Sequence, residues 1–230
     1  MADATVGRVV PMQVAIVLYP GLTALDAIGP YEVLNSAAGF DIRFVWKSAG
    51  PVVTDHGAFT LGATHTLAET PAPDVVIVPG SSANTGHAMK DAVLRDWLVG
   101  AHRGTRFTTS VCSGALVLAA AGLLKGHPAT THWGVMDSLA RYGAEARPNE
   151  RVVRSGRIIT AAGVSAGIDM GLALLADLSG ADAAKAVQLA IEYDPRPPFD
   201  CGHMTKADAA TAQAARRGVV ERAKLPRSWS

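Results

Sequence analysis

The sequence predicts an α/β fold: a doubly wound, mostly parallel sheet flanked by helices on both faces. Three observations predict it. Apolar runs rich in β-branched residues, such as Gln13–Tyr19 and Asp74–Val78, show no apolar–polar alternation, which is how strands buried on both faces read. Stretches at helical spacing separate these runs, and strands that alternate with helices form a parallel sheet with covered faces. A hydrophobic fraction of 49% in 230 residues supplies the core this needs. Length alone allows one large domain or at most two. The chain reads as a single domain over residues 1–230, with a core of about 12–200 and a C-terminal helical extension of about 205–225.

The first strand, Gln13–Tyr19, stops at Pro20-Gly21, and a helical stretch follows from Ala24 to Ala37. Pro30 in its early part predicts a second helix start at Gly29-Pro30, because proline suits a first turn. Asp41–Trp46 is the next strand, and residues 51–61 read as a short hairpin. Asp74–Val78 is a buried strand ended by Pro79-Gly80-Ser81-Ser82. One helix is expected over residues 88–103, with Met89, Val93, Leu94, Trp97 and Leu98 at helical spacing. Arg106–Val111 is a further buried strand, and Ser113–Ala121 a helix. A helix is expected from His132 to Tyr142, then a hairpin of Arg151–Arg154 and Arg157–Thr160 across Ser155-Gly156. Ser165 is expected to cap a long helix to Leu178. Further helices follow over residues 181–192 and Ala207–Lys224.

Composition excludes several classes. The net charge is +1 with scattered Lys and Arg, unlike the clustered positive charge of a nucleic-acid footprint. Two cysteines, Cys112 and Cys201, make no disulfide framework and suit a reducing cytosol. No run is long and apolar enough to span a bilayer, and the start, Met1–Thr5, lacks the pattern of a signal peptide. A soluble cytoplasmic protein is therefore expected. The histidines His65, His87, His102 and His127 lack metal-ligand spacing, and no phosphate-cradling glycine loop occurs. Neither a metal nor a cofactor is expected.

Cys112 carries the most chemical information. It stands at a strand-to-helix junction, and the small residues Ser113-Gly114 after it allow a sharp turn. There a sulfur faces the amide dipoles of a new helix, which favour the nucleophilic thiolate. Free cysteines are also common as small buried hydrophobes, so both readings stand at this point. Asp26 lies in an otherwise apolar segment after the first strand. It can be a helix N-cap toward Gly29-Pro30, or a carboxyl beside the thiol whose pKa burial and like charge would raise. Asp26, Gly80-Ser81, Cys112-Ser113 and Gly163-Val164 all follow strand ends, where ligands bind in open α/β sheets.

These segments resemble the ThiJ/PfpI superfamily of the class I glutamine-amidotransferase-like, flavodoxin-like fold, and within it the isocyanide hydratases. The residues that carry the resemblance are Pro20-Gly21 with Leu25–Leu34, Val78-Pro79-Gly80, Thr109–Gly114, Ala129–Trp133, Ser165–Asp169 and Gln188–Phe199. The resemblance implies that Cys112 is the nucleophile and Asp26 its acid–base partner. It implies addition of water to an isocyanide through a covalent thioimidate. Gly80, Ser81 and Ser113 would supply amides, and Ser113 a hydroxyl, to the developing charge. The superfamily's proteases carry His immediately after the nucleophile, where this chain has Ser113, which argues against peptidase chemistry. His132 reads either as a strand-end histidine hydrogen-bonded in the core or, with Gly163 and Val164, as a residue of the substrate-binding pocket. Asp169 is expected to be structural, Cys201 incidental, and Glu32, Trp133 and Tyr193 packing or dimer residues. The resemblance also implies a homodimer. It leaves open a glyoxalase- or deglycase-like activity on small α-oxoaldehydes, and a redox or ligand sensor.

Overall fold

The structure, a computed structural model, describes residues 10–55 and 57–224, with side chains as far as Glu221. The start of the chain, His56 within the hairpin, and the end beyond Lys224 lie outside the described residues. In chain order the first half contains β1 (Met12–Val17), α1 (Ala24–Asn35), β2 (Phe40–Trp46), β3 (Gly50–Val53), β4 (Thr60–Ala63), β5 (His65–Thr66) and β6 (Val75–Val78). There follow α2 (Thr85–Lys90), α3 (Ala92–His102), β7 (Phe107–Val111), α4 (Gly114–Ala120), β8 (Pro128–Ala129), α5 (Met136–Arg141) and β9 (Glu145–Ala146). The last elements are β10 (Val152–Ser155), β11 (Ile158–Ala161), α6 (Ala166–Ser179), α7 (Ala181–Ala190) and α8 (Ala209–Lys224).

Seven strands form one sheet in the order β10-β11-β7-β6-β1-β2-β5. Only the β10–β11 pair is antiparallel, joined through Ser155↔Ile158 as the hairpin reading expects. The doubly wound architecture follows from the chain's path. It leaves β1 for β2 on one side, then returns to lay β6 on the other. The crevice beyond β1 and β6 is thus a topological switch point, where open α/β sheets place their ligands. Every residue of β6 and β7 is buried. Of the polar side chains in β7, Thr109 Oγ1 donates to the Val76 carbonyl at 3.0 Å and Thr108 Oγ1 pairs with His102 and Thr105, while Ser110 Oγ is buried without a partner among the described residues.

Four expectations about helices change. Pro30 starts no second helix; it lies within the continuous α1. Its ring packs on α6, where an added Cβ at Gly167 would meet Pro30 Cδ at 3.2 Å, so close helix contact offsets the amide that proline lacks. The expected helix over residues 88–103 is two, because Asp91 leaves helical geometry and caps α3, accepting from the Leu94 amide at 3.1 Å. Ser165 makes no side-chain cap at α6. Its hydroxyl instead accepts from Arg151 Nη2 at 3.2 Å. The stretch after His132 begins with a 3₁₀ turn, Trp133–Val135, before α5.

Candidate active site

The site is built on the turn between β7 and α4. Cys112 has φ of +58°, a left-handed backbone that a non-glycine residue adopts only when its surroundings enforce it. Both of its peptide groups are held. The Cys112 amide donates to the carbonyls of Ala161 and Ala162, at 3.2 and 3.0 Å. Its carbonyl accepts from Thr131 Oγ1 at 2.8 Å. The next turn leaves no room for a side chain, since a Cβ on Gly114 would stand 2.1 Å from the Val78 carbonyl oxygen. The elbow is therefore wedged between β6 and β11.

Asp26 reaches the elbow from α1, on the other side of the switch point. It is wholly buried and caps nothing toward Gly29-Pro30: it belongs to the first turn of a helix whose N-cap is Thr23. Asp26 Oδ2 accepts from the Gly80 amide at 2.8 Å. Oδ1 is buried with no hydrogen-bond partner among the described residues, and the Cys112 thiol stands beside the carboxyl. Burial pushes the Asp26 carboxyl up to about 8, against the pull of the Gly80 amide and the thiol, with the Asp55 charge adding to the rise.

The thiol behaves differently from the sequence expectation. A helix start alone would favour thiolate, but burial first and Asp26 second push the Cys112 thiol well up. The nearby amides of Val164 and Ser113 and the Ser113 hydroxyl oppose that rise. Removing a charged sulfur from water outweighs one short helix's dipole. The pair therefore favours forms in which a proton stays between sulfur and carboxyl. Val164 holds its amide toward the sulfur with φ of +25°.

Ser113 is tied to the loop after β6. Its Oγ accepts from the Ser81 amide at 2.9 Å, donates to the Ser81 carbonyl at 3.1 Å, and lies 2.7 Å from Thr85 Oγ1. The Gly80 and Ser81 amides, expected to face the substrate, are thus engaged by Asp26 and Ser113. Gly80 must be glycine here, because a Cβ would meet the Ser113 nitrogen at 2.5 Å.

A cavity of about 260 Å³ opens over Cys112 and Ser113. Its lining includes the polar Thr23, Asp55, Ser81 and Ser82 and the apolar Val135, Val164 and Val219. Asp55, which the sequence reading missed, is buried and accepts from Thr23 Oγ1 at 2.8 Å. His132 also lines this cavity; its Nδ1 accepts from the Gly134 amide at 3.1 Å, and its ring lies 5.1 Å from Trp133. The other face of His132 lines an adjoining cavity of about 530 Å³ with Gly163, Val164 and Trp133. Gly163 therefore sits behind His132 and outside the smaller cavity. Asp169 is structural, accepting from Arg151 Nε at 2.8 Å and from the Tyr193 hydroxyl at 3.2 Å. Cys201 is exposed in the loop before α8.

A doubly wound sheet with a strained cysteine elbow and a buried carboxyl at its switch point defines the class. The model of the DJ-1/PfpI family matches residues 12–177, and the chain belongs to that family. It is 42% identical to the protein named isonitrile hydratase from Pseudomonas putida, over 93% of this chain and 92% of that one. A ThiJ/PfpI family protein from Pseudomonas syringae superposes with a TM-score of 0.87 at 39% identity, covering 97% of this chain and 94% of that one. Drosophila melanogaster DJ-1beta shares the fold, with a TM-score of 0.73 at 20% identity over 79% of this chain and 98% of that one.

Proposed function

We propose that the protein hydrates isocyanides to N-substituted formamides, with Cys112 as nucleophile and Asp26 as proton carrier. The observation that carries this reading is Cys112 on its strained turn beside the buried Asp26 carboxyl, at a small cavity lined in part by valines. The likeness to the Pseudomonas putida protein named isonitrile hydratase supports the substrate.

An isocyanide, R–N≡C, carries its reactivity on the terminal carbon. As the Cys112 sulfur bonds to that carbon, the proton shared with Asp26 passes to the same carbon. The product is the thioimidate R–N=CH–S–Cys112, with no proton gained or lost overall. Asp26, now a carboxylate, takes a proton from the incoming water and delivers it to nitrogen. The adduct R–NH–CH(OH)–S–Cys112 then collapses: the carbon–sulfur bond breaks, the hydroxyl proton returns to the Asp26–thiol pair, and R–NH–CHO leaves. The amides of Val164 and Ser113 hold the sulfur through the cycle. Gly80 and Ser81 act indirectly, one orienting Asp26 and the other Ser113. His132, with Gly163 behind it, walls the cavity. The reading needs isocyanide and water, no cofactor, and includes a homodimer.

The test is formamide production from a simple alkyl isocyanide by wild type and Cys112→Ala, with methylglyoxal consumption followed in parallel. Formamide from wild type alone supports the reading. Methylglyoxal loss without formamide replaces it with the oxoaldehyde alternative, and full activity in Cys112→Ala removes the mechanism.

A further inference from the structure

The family match ends at residue 177, yet the cavity over Cys112 is closed in part from beyond it. Val219 of α8 lines the cavity beside Val135 and Val164. Helix α8 is otherwise almost entirely exposed. From Ala209 to Glu221 only Ala212 and Val219 are half-buried. Their spacing of seven residues places them on one stripe, with Arg216 between them at helical neighbour distance from each. The Arg216 guanidinium lies over the Trp133 ring, 5.0 Å from its centre. Trp133 opens the 3₁₀ turn that also carries Val135 to the cavity. One stripe of a solvent-covered helix thus meets the site at two points, an apolar side chain in the cavity and a cation on an aromatic face.

We propose that α8 is the substrate-selecting wall of the site: Val219 limits the substituent on the isocyanide nitrogen to compact aliphatic groups, and Arg216 on Trp133 seats the helix. The substrate part rests on the isocyanide reading. A cavity of about 260 Å³ is small for a ligand site. An unreacted isocyanide is linear, so one whose terminal carbon faces the Cys112 sulfur holds its substituent at the far end of a rigid rod. The aliphatic lining that can receive an alkyl group consists of three valines, and two of them, Val135 and Val164, lie on the family core. Only Val219 comes from a helix that lies outside the sheet and is exposed along most of its described side chains.

The experiment uses the full chain with Val219→Ala, Val219→Phe and Arg216→Ala, all carrying Cys201→Ser so that only Cys112 can be alkylated. Two ratios are measured. One is kcat/KM for a bulky aryl isocyanide against isopropyl isocyanide. The other is the alkylation rate of Cys112 by N-phenylmaleimide against iodoacetamide, followed by intact mass. Val219→Ala should raise both ratios about tenfold, the scale on which a pocket discriminates small apolar groups. Val219→Phe should lower both, and Arg216→Ala should raise both less than Val219→Ala does. Unchanged ratios in every variant overturn the wall. A protein that turns over no isocyanide, but whose alkylation ratio shifts as described, keeps the wall and loses the substrate reading. Turnover with unchanged ratios keeps the reading and removes the wall.

Discussion

The floor and the roof of the cavity are built in opposite ways. On the floor, Cys112, Asp26, Gly80 and Ser113 come from β7, α1 and the loop after β6, and are held by buried main-chain hydrogen bonds at 2.8–3.2 Å. On the roof, α8 touches the site through Val219 and Arg216 and, Ala212 apart, its other described side chains are exposed. The difference teaches where each kind of specificity resides. Reacting atoms need positions fixed to fractions of an ångström, so they are placed by the sheet. A limit on substituent size needs only bulk, which an outlying helix supplies.

The comparison breaks most visibly at Cys112. Cys112→Ala should lose at least about 10³-fold in formamide formation, the scale for removing a nucleophile, with an unchanged circular-dichroism spectrum. Retained turnover would mean that the floor does not carry the chemistry. Asp26→Asn keeps an oxygen for the Gly80 amide but cannot carry the proton, and should cost about 10²–10⁴-fold in kcat. A loss confined to KM would instead make Asp26 a binding group.

A pH profile sharpens the contrast further. With the Asp26 carboxyl pushed up to about 8 and the Cys112 thiol pushed higher, the pair holds two protons below about pH 8 and the single proton that the reaction uses above it. kcat/KM for a neutral isocyanide should therefore rise about tenfold per unit from pH 6 and level off near pH 8. The sign for stability is opposite. The folded carboxyl binds its proton more tightly than the unfolded one, so its contribution is complete below about pH 4 and is lost as pH rises to about 8. Asp26→Asn carries no such slope, and its melting temperature should gain on wild type between pH 5 and pH 9. A constant difference between the two would show that Asp26 is not held neutral. The smallest change is Thr131→Val, which leaves the Cys112 carbonyl without its 2.8 Å donor. It should cost about 1–3 kcal/mol in urea unfolding and leave substituent preference alone.

Legibility in the sequence followed the same division. The reactive turn was readable because a buried strand, a cysteine and two small residues stand in succession. Asp26 stood out as a charge among apolar neighbours. Strand order was not readable from periodicity, which says that β6 is buried but not that it lies against β1. Asp55 was hidden because Thr54-Asp55-His56-Gly57 has an ordinary turn composition; its burial arises from Thr23, distant in sequence. Val219 reads as one apolar residue on an amphipathic helix, and no local pattern says that it faces another element's cysteine. Pro30 misled for a related reason: first-turn preference is a local rule, and the contact with α6 that accommodates it inside α1 is not.

The two tight glycines of the floor have a consequence for heredity. Every missense change in a glycine codon introduces at least a Cβ, and at Gly80 and Gly114 that atom would fall 2.5 Å from the Ser113 nitrogen and 2.1 Å from the Val78 oxygen. No amino acid but glycine can be written at either position without moving the elbow. Inactivating alleles of this gene should therefore arise at two residues that contribute no side chain to the reaction as readily as at the cysteine itself.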